Sequence, residues 1–335
     1  MRYRLLIFFV LAILVPAAVF SQDKSRQLDS LRLYSNTIAS ENPDFKKYEA
    51  NEKLQVLLEK IFSSEKYFEF PFDSLKKIAA LTAPDKKFKL LTWGIAKENG
   101  TYEYFGYIVF PDNQYGIKKY IKLNDKTIEV LNPETDITDH NKWFGAIYYD
   151  IIPCHYQGRK QYTLLGWKGN STLTTKKVVE ILTFRSNGTP VFGKRLFRKN
   201  NKATRHIFEF SARTSMLLRY ESQTLHTVVK PAKTVKSSYS KKDKKSNKAI
   251  AADKKVAAKV KTTRARMIIF DRLSPVDART SKYVANLEGQ YQFYVPETNI
   301  YDAFIFENGR WVFVKDVDAR NPQPDKKKKF APPQL

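Results

Sequence analysis

Short β-prone runs joined by glycine turns constrain the fold of this 335-residue chain more than any other feature. Asn-Gly dipeptides stand at Asn99-Gly100, Asn187-Gly188 and Asn308-Gly309, each between runs rich in aromatic and β-branched residues. This dipeptide is a strong hairpin signal because both residues of the tight turn need positive φ angles, so we expect positive φ at both. Gln157-Gly158 and Asn124-Asp125 predict two further turns. The spacing predicts an antiparallel meander of about a dozen strands, arranged as a β-sandwich or a barrel-like sheet.

The segment before these strands has a helical pattern. Within residues 22–84, apolar residues recur at helical spacing in a first helix and again in a second helix that begins at Asp44. A third, shorter helix is predicted from Ser74 to Leu81. Each helix has one apolar face, so we expect the helices to pack on the β-rich domain, which spans residues 85–320. The predicted class is mainly β, α+β overall, with an N-terminal helical segment.

The first 21 residues have the pattern of a signal peptide. Arg2 and Arg4 precede an uncharged apolar run, and Ser21 supplies a small residue at the expected cleavage position. The apolar run is shorter than the roughly 20 residues of a membrane-spanning helix, although an uncleaved anchor is the alternative. The single cysteine, Cys154, stands in an apolar run, which favours a buried thiol over a nucleophile. We therefore expect an exported protein that is periplasmic, outer-membrane associated or secreted.

Positive charge is concentrated in two low-complexity segments. Residues 230–266 contribute +12 to the formal net charge of +25. The composition predicts a disordered insertion at 222–266, placed between two partner strands, and a disordered basic tail at 321–335. A flexible run of lysines attracts polyanions because binding releases counterions. The lysines expected to contribute most are Lys241, Lys242, Lys244, Lys245, Lys254 and Lys255.

These charges indicate a class of partner rather than a sequence-specific ligand. The partners implied are anionic envelope polymers or a membrane surface. Tyr239 is the one aromatic residue of the insertion, so stacking platforms for base-specific nucleic-acid recognition are missing. A solvated spacer whose charge is incidental is the alternative interpretation. The oligomeric state is not indicated by the sequence.

The stretch from Gly188 to Arg195 comes close to a phosphate-binding loop but does not complete it. Such a loop needs a Ser or Thr after its lysine to bind Mg²⁺, and here Arg195 follows Lys194. Pro190 also removes one of the backbone N–H groups that would face the phosphates. The sequence therefore favours an ordinary hairpin return strand in this stretch, with Trp167 of the preceding strands in the core.

Asp136, Asp139 and His140 form the densest group of potential acid–base or metal-binding side chains. Their spacing matches no defined metal motif, and the polar residues around them are typical of a connector. His155 and Cys154 are neighbours in one predicted strand, so their side chains should point to opposite faces. The sequence therefore identifies no catalytic residue, no metal ligand set and no cofactor motif.

Four phrases of the sequence resemble a group of uncharacterised exported β-rich proteins of Bacteroidota type. They are YTLLGWKGN, KKVVEILTF…NGTPVFG, IFEFSA…SM and YDAFIFENGRWVFVKDVDAR. The resemblance covers residues 88–320 without the basic insertion, and it implies export but no activity. We therefore expect a non-catalytic binding or structural module of the cell envelope with a polyanion-attracting loop. The alternative is an envelope hydrolase with a carboxylate and histidine site in a β-face cleft.

Overall fold

The computed structural model describes residues 23–40, 43–111, 118–198, 202–229, 259–276 and 289–318. In these ranges two helices, α1 (23–38) and α2 (Asp44–Ser63), precede the strands. The strands are β1 (Ala79–Thr82), β2 (Lys89–Ala96), β3 (Tyr102–Val109), β4 (Tyr120–Asn124), β5 (Thr138–Asp139), β6 (Ile147–Tyr156), β7 (Arg159–Gly169), β8 (Thr174–Phe184), β9 (Pro190–Phe192), β10 (Arg205–Ser211), β11 (Leu218–Val229), β12 (Lys259–Pro275), β13 (Tyr294–Glu307) and β14 (Arg310–Val317). The predicted signal peptide and basic tail lie outside the described residues.

The strands form three antiparallel sheets. The N-terminal sheet has the order β1-β2-β3-β4, and the C-terminal sheet has the order β11-β12-β13-β14. The central sheet has the order β5-β9-β8-β7-β6, and β10 also pairs with β8. Most strands pair with their neighbours along the chain, as a meander requires. The predicted mainly β architecture with an N-terminal helical segment is confirmed.

The central sheet is covered on both faces, which makes the molecule a stack of sheets. On one face, the Tyr162 ring of β7 packs on Phe88, next to β2 of the N-terminal sheet, with ring centroids 4.8 Å apart. On the other face, Trp311 Nε1 of the C-terminal sheet donates to Thr163 Oγ1 of β7 over 2.9 Å. Because no face of β7 meets water, the strand is buried from Gln161 to Gly169. Trp167 lies in this core as predicted.

The helices pack on the outer face of the N-terminal sheet. Leu54, Leu58 and Ile61 of α2 are buried against that sheet. Hydrogen bonds also join the helix to the sheet. Trp93 Nε1 donates to Asn51 Oδ1 over 2.8 Å, and the Tyr107 hydroxyl donates to Glu59 over 2.6 Å. The predicted docking of amphipathic helices on the β region is therefore confirmed.

The glycine turns close hairpins as predicted, but by two different mechanisms. At Gln157-Gly158 and Asn308-Gly309 both residues have positive φ, between 50° and 79°, as a two-residue mirror-image turn requires. At Asn99-Gly100 and Asn187-Gly188 only the glycine has positive φ. In these two turns the glycine N–H donates to the carbonyl oxygen three residues earlier. The acceptors are Lys97 O and Arg185 O. The expectation of positive φ at both residues is therefore wrong for these two turns.

Two local predictions, the third helix and the Asn124-Asp125 turn, are wrong. Residues 74–81 do not form a helix, since a single 3₁₀ turn at Phe72–Ser74 leads into β1. The Asn124-Asp125 pair does not close a hairpin either. The Asp125 carboxylate accepts hydrogen bonds from the N–H groups of Tyr104 and Thr127, both over 3.0 Å. These bonds direct the chain into a 3₁₀ turn at Thr127–Glu129 instead of a strand.

The boundaries of the predicted disordered insertion at 222–266 are also wrong. β11 and β12 are partner strands as predicted, but their pairing continues from Ser222↔Arg266 to Val229↔Lys259. Thr and Val residues are frequent in both of these paired segments, and β-branched residues favour strands. The interior of the insertion, residues 230–258, lies outside the described residues.

A fully buried ion pair connects β8, β10 and the loop before β5. Arg205 Nε lies 2.6 Å from Glu180 Oε1, and both side chains are 0% exposed. The other oxygen of Glu180 accepts a hydrogen bond from the Tyr148 hydroxyl. Arg205 also donates to the backbone oxygens of Pro133 and Asp136. Every charge in this group is therefore compensated without water, as burial requires.

We predict that Glu180→Gln destabilises the fold by about 3–5 kcal/mol, because it leaves the Arg205 charge buried without a counter-ion. The free energy of unfolding in urea measures the effect. Glu209→Gln is the matched control, since Glu209 pairs with Lys176 of the same strand pair in a partly exposed position. We expect the control to cost about 1 kcal/mol or less. Equal losses in the two variants would contradict the role of the buried pair.

Candidate functional site

The three predicted acid–base residues do not meet in one cleft. The Asp136 carboxylate accepts the N–H of Asn132 over 3.2 Å, and the Asp139 carboxylate accepts the N–H of Asn141 over 2.9 Å. Both carboxylates thus serve local turns, as the connector interpretation predicts. Neither lines the groove that contains His140. The described residues contain no group of three or more potential metal ligands.

His140 lies in a basic groove along the edge of the N-terminal sheet. This open groove of about 530 Å³ is lined by residues 118–122, Asn124, His140 and Asn141. The Nδ1 atom of His140 is buried without a hydrogen-bond partner in the described part of the chain. Burial lowers the pKa of His140, and the Asp139 carboxylate opposes that shift. None of the described residues that line this groove is a carboxylate, so the groove supplies no acid–base partner for the imidazole.

A second groove, of about 390 Å³, lies between the loop 131–135 and β8 with β10. Two carboxylates that sequence reasoning missed, Glu134 and Glu209, line it together with Tyr291. Glu209 is already engaged, since it accepts from Thr174 Oγ1 over 2.7 Å and pairs with Lys176 Nζ over 3.1 Å. This carboxylate is therefore arranged as a structural acceptor in the wall of the groove.

Cys154 and His155 are arranged as the strand pattern predicts. Cys154 is buried and His155 is exposed, so the two side chains occupy opposite faces of β6. Burial raises the pKa of the Cys154 thiol to about 11. A buried neutral thiol is a poor nucleophile because the thiolate is the reactive species. The pair therefore does not form a catalytic dyad.

Lys194 follows a return strand rather than a phosphate-binding loop. β9 pairs with β8 through the Asn187-Gly188 turn, with Leu182 opposite Phe192. Gly193 then has a φ of 93°, and its N–H donates to Ile181 O instead of facing a ligand. The chain continues to β10 without a helix between Lys194 and Arg198. The predicted hairpin is confirmed, but its return strand ends at Phe192 and does not include Gly193 and Lys194.

Lys168 is a buried cation that the sequence analysis missed. It is 2% exposed, and its ammonium donates to Gly145 O over 2.6 Å and to Thr127 Oγ1 over 2.7 Å. The ammonium also lies 4.2 Å from the Tyr104 ring centroid and 4.5 Å from that of Phe144. Burial lowers the pKa of Lys168 to about 7, and the Asp125 carboxylate opposes this shift. The sequence signal for this site was a single lysine at the end of the apolar run YTLLGW.

The most distinctive basic feature is a two-stranded extension of the C-terminal sheet. The pairing of β12 with β13 stops at Met267↔Ile305, whereas β11 and β12 continue for eight further pairs, from Ser222↔Arg266 to Val229↔Lys259. We call these paired residues, 222–229 and 259–266, the β-arm. At a rise of about 3.3 Å per residue, the β-arm is about 25 Å long.

The β-arm connects the folded domain to the basic segment 230–258. Arg264 and Arg266 near its base are exposed, and the Arg266 guanidinium lies 4.7 Å from the Tyr220 ring centroid. The segment beyond Val229 and Lys259 contains ten lysines and two aspartates. The predicted polyanion-binding residues Lys241, Lys242, Lys244, Lys245, Lys254 and Lys255 belong to it and lie outside the described residues. What the structure adds is the paired stem that holds both ends of this segment.

Comparison with known proteins gives no further information about the site. No protein-family model matches the chain, and no curated protein or solved structure is significantly similar to it. None of the helices in the described ranges has both the length and the hydropathy that crossing a bilayer requires. The functional argument therefore rests on the chemistry of the chain itself.

We predict that Lys168→Met flattens the rise of stability between pH 7 and pH 9. A folded-state pKa near 7, below the unfolded value near 10.4, means that the unfolded chain binds more protons in this interval. Stability therefore rises with pH there, by about 2 kcal/mol from this group. Urea unfolding at pH 7, 8 and 9 measures the slope. Lys176→Met is the matched control on the paired strand, and an unchanged slope in Lys168→Met would contradict the assignment.

Proposed function

We propose that this protein is an exported, non-catalytic binding module of the bacterial cell envelope that captures polyanions with the basic segment 230–258. The observation that carries the proposal is the β-arm, which ends at the pair Val229↔Lys259. Because these two residues are partners, both ends of the segment start from one point. The segment that starts and ends there contains ten lysines.

Electrostatics explains why such a segment binds without sequence recognition. Each lysine that neutralises an anionic group releases condensed counterions, which favours binding to any polyanion at low salt. Arg264 and Arg266 extend the positive charge down to the base of the β-arm. The ligand class that fits is a flexible anionic polymer or an anionic lipid surface, rather than a small neutral molecule.

The cellular location is part of the proposal. Its support is the signal-peptide pattern of residues 1–21 and the resemblance to exported proteins of Bacteroidota type. An envelope location would place the basic segment near phosphorylated glycolipids and anionic lipids, which are polyanions of the required kind.

The hydrolase alternative keeps one supporting observation. Glu134 and Glu209 line the same groove as Tyr291, and paired carboxylates serve acid–base hydrolysis of glycosides. The hydrogen bonds and ion pair that occupy Glu209 favour a structural role for this residue instead. Binding without catalysis is therefore the better-supported function.

We predict that replacing residues 230–258 with Asn-Gly leaves the fold intact and strongly weakens binding to heparin. The dipeptide would close the β-arm at Val229 and Lys259, which already face each other. The midpoint of thermal unfolding should stay within a few degrees of the original. Heparin affinity at several salt concentrations measures binding, and its salt dependence should become less steep because fewer counterions are released.

A full-length variant with fewer positive charges controls for the effect of shortening the chain. Lys241, Lys242, Lys244, Lys245, Lys254 and Lys255 are replaced together by Gln, which keeps the segment and removes six charges. This variant should lose most of the heparin affinity at low salt. Unchanged affinity in it would overturn the proposed function, even if the Asn-Gly variant failed to fold.

A further inference from the structure

A cluster of positive charges surrounds Tyr156, away from the β-arm segment. Lys194 Nζ lies 5.5 Å from the centroid of the Tyr156 ring, and Arg310 Cζ lies 5.9 Å from it. Arg310 Nη2 also donates to the Tyr156 hydroxyl over 3.5 Å. Arg159 is the cross-strand partner of Tyr156 at the end of the β6–β7 hairpin. Two cations thus lie near one aromatic ring, and a third belongs to the cross-strand neighbour of that residue.

Elements of two sheets build this cluster. Tyr156 and Arg159 flank the Gln157-Gly158 turn of the central sheet. The Asn308-Gly309 turn of the C-terminal sheet packs on Tyr156 so closely that a Cβ at Gly309 would lie 2.8 Å from the ring. Lys194 comes from the connection after β9. Because two hairpin turns and the connection after β9 meet here, the cluster depends on the packing of the two sheets rather than on a single loop.

The charges of the cluster are not compensated by the protein. Lys194, Arg159 and Arg310 form no ion pair with a carboxylate in the described ranges, whereas Lys160 of the same hairpin pairs with Asp85 over 2.7 Å. Burial and then the positive charge of Arg159 lower the pKa of Lys194. Like charges held together cost free energy, and an anion between them would remove that cost.

A buried amide beside the cluster is also unsatisfied. Gln161 is 1% exposed, and neither its Oε1 nor its Nε2 has a hydrogen-bond partner among the described residues. It lies two residues from Arg159 on the same face of β7 and opposite Cys154, whose thiol is electrostatically coupled to Lys194. Buried polar groups normally have partners, so this unsatisfied amide is a second uncompensated polar group on the face of β7 that carries Arg159.

We propose that Lys194 and Arg159, beside Tyr156, form a binding site for a phosphate group, with Arg310 adding a third positive charge. The guanidinium and the ammonium are the donors that phosphate oxygens prefer, because both make charge-assisted hydrogen bonds. The site does not work as a nucleotide loop, since Gly193 donates its N–H to Ile181 O. It binds a phosphate group through side chains alone, and it is separate from the lysines of segment 230–258.

The test is titration of the full-length protein with inorganic phosphate at constant ionic strength, followed by ³¹P NMR line width. Lys194→Met and Arg159→Met should each weaken the association about tenfold, the usual cost of a lost hydrogen bond to a charged group. Lys160→Met is the matched control, because Lys160 lies on the opposite face of the same hairpin. Binding that is equal in Lys194→Met, Arg159→Met and Lys160→Met would overturn the proposal.

The six-lysine Gln variant separates this site from the proposed polyanion function. If this variant loses heparin binding but keeps phosphate binding, the two sites are independent, as the geometry indicates. Loss of phosphate binding in that variant, with full binding in Lys194→Met, would overturn the phosphate site and leave the polyanion function standing. If the six-lysine Gln variant keeps its heparin binding while Lys194→Met loses phosphate binding, only the polyanion function is overturned.

A second arm of the experiment identifies the source of the phosphate group. Vesicles of phosphatidylcholine, with and without phosphatidic acid, present a phosphomonoester on a lipid surface. Lys194-dependent binding to the phosphatidic acid vesicles would support a lipid-borne phosphate. Lys194-dependent binding of inorganic phosphate alone would support a soluble one. If neither ligand depends on Lys194, the site does not bind phosphate.

Discussion

The ion pair between Glu180 and Arg205 is the interaction on which the arrangement of the central sheet depends. β8 lies between two other layers, so a carboxylate at position 180 has no access to water and needs charged and hydrogen-bonding partners inside the protein. Arg205 supplies the charge from β10, and its remaining donors reach the backbone of Pro133 and Asp136. The position of the loop 131–136 therefore follows from this pair, and so does the shape of the groove that the loop lines.

The charged residues of the core illustrate why a perturbed pKa does not identify an active site. Lys168 has a pKa of about 7, which is a value often associated with a general base. Its ammonium, however, is enclosed by two aromatic rings and two acceptor oxygens, and no substrate can reach it. The carboxylates of Asp136 and Asp139 are likewise occupied by turns. A polar group is therefore a candidate for binding only if a ligand can reach it and if it has a donor or acceptor that is not already used.

The parts of the fold that depend on local sequence were predictable, whereas those that depend on distant partners were not. Gly158 and Gly309 act within their own turns, so the hairpins could be predicted from the dipeptides. Asp125 failed as a hairpin residue because its carboxylate binds the N–H of Tyr104, 21 residues away. The β-arm was missed because the lysines of the insertion dominated its average composition. Lys194 was noticed for a phosphate loop that it does not form, while its neighbour Arg310 lies 116 positions further along the chain.

The distribution of charge connects the fold with the two proposed sites. Several cations of the folded domain have carboxylate partners, as Lys160 has with Asp85 and Lys126 has with Glu129. Lys194 and Arg159 depart from this pattern, although the fold holds them close to each other at the end of a hairpin. Holding like charges together in a folded domain costs stability that a carboxylate at a neighbouring position would restore. A ligand that supplies the missing negative charge gives a physical reason for the arrangement. The β-arm in turn ends at Val229 and Lys259, the two residues that flank the lysine-rich segment 230–258.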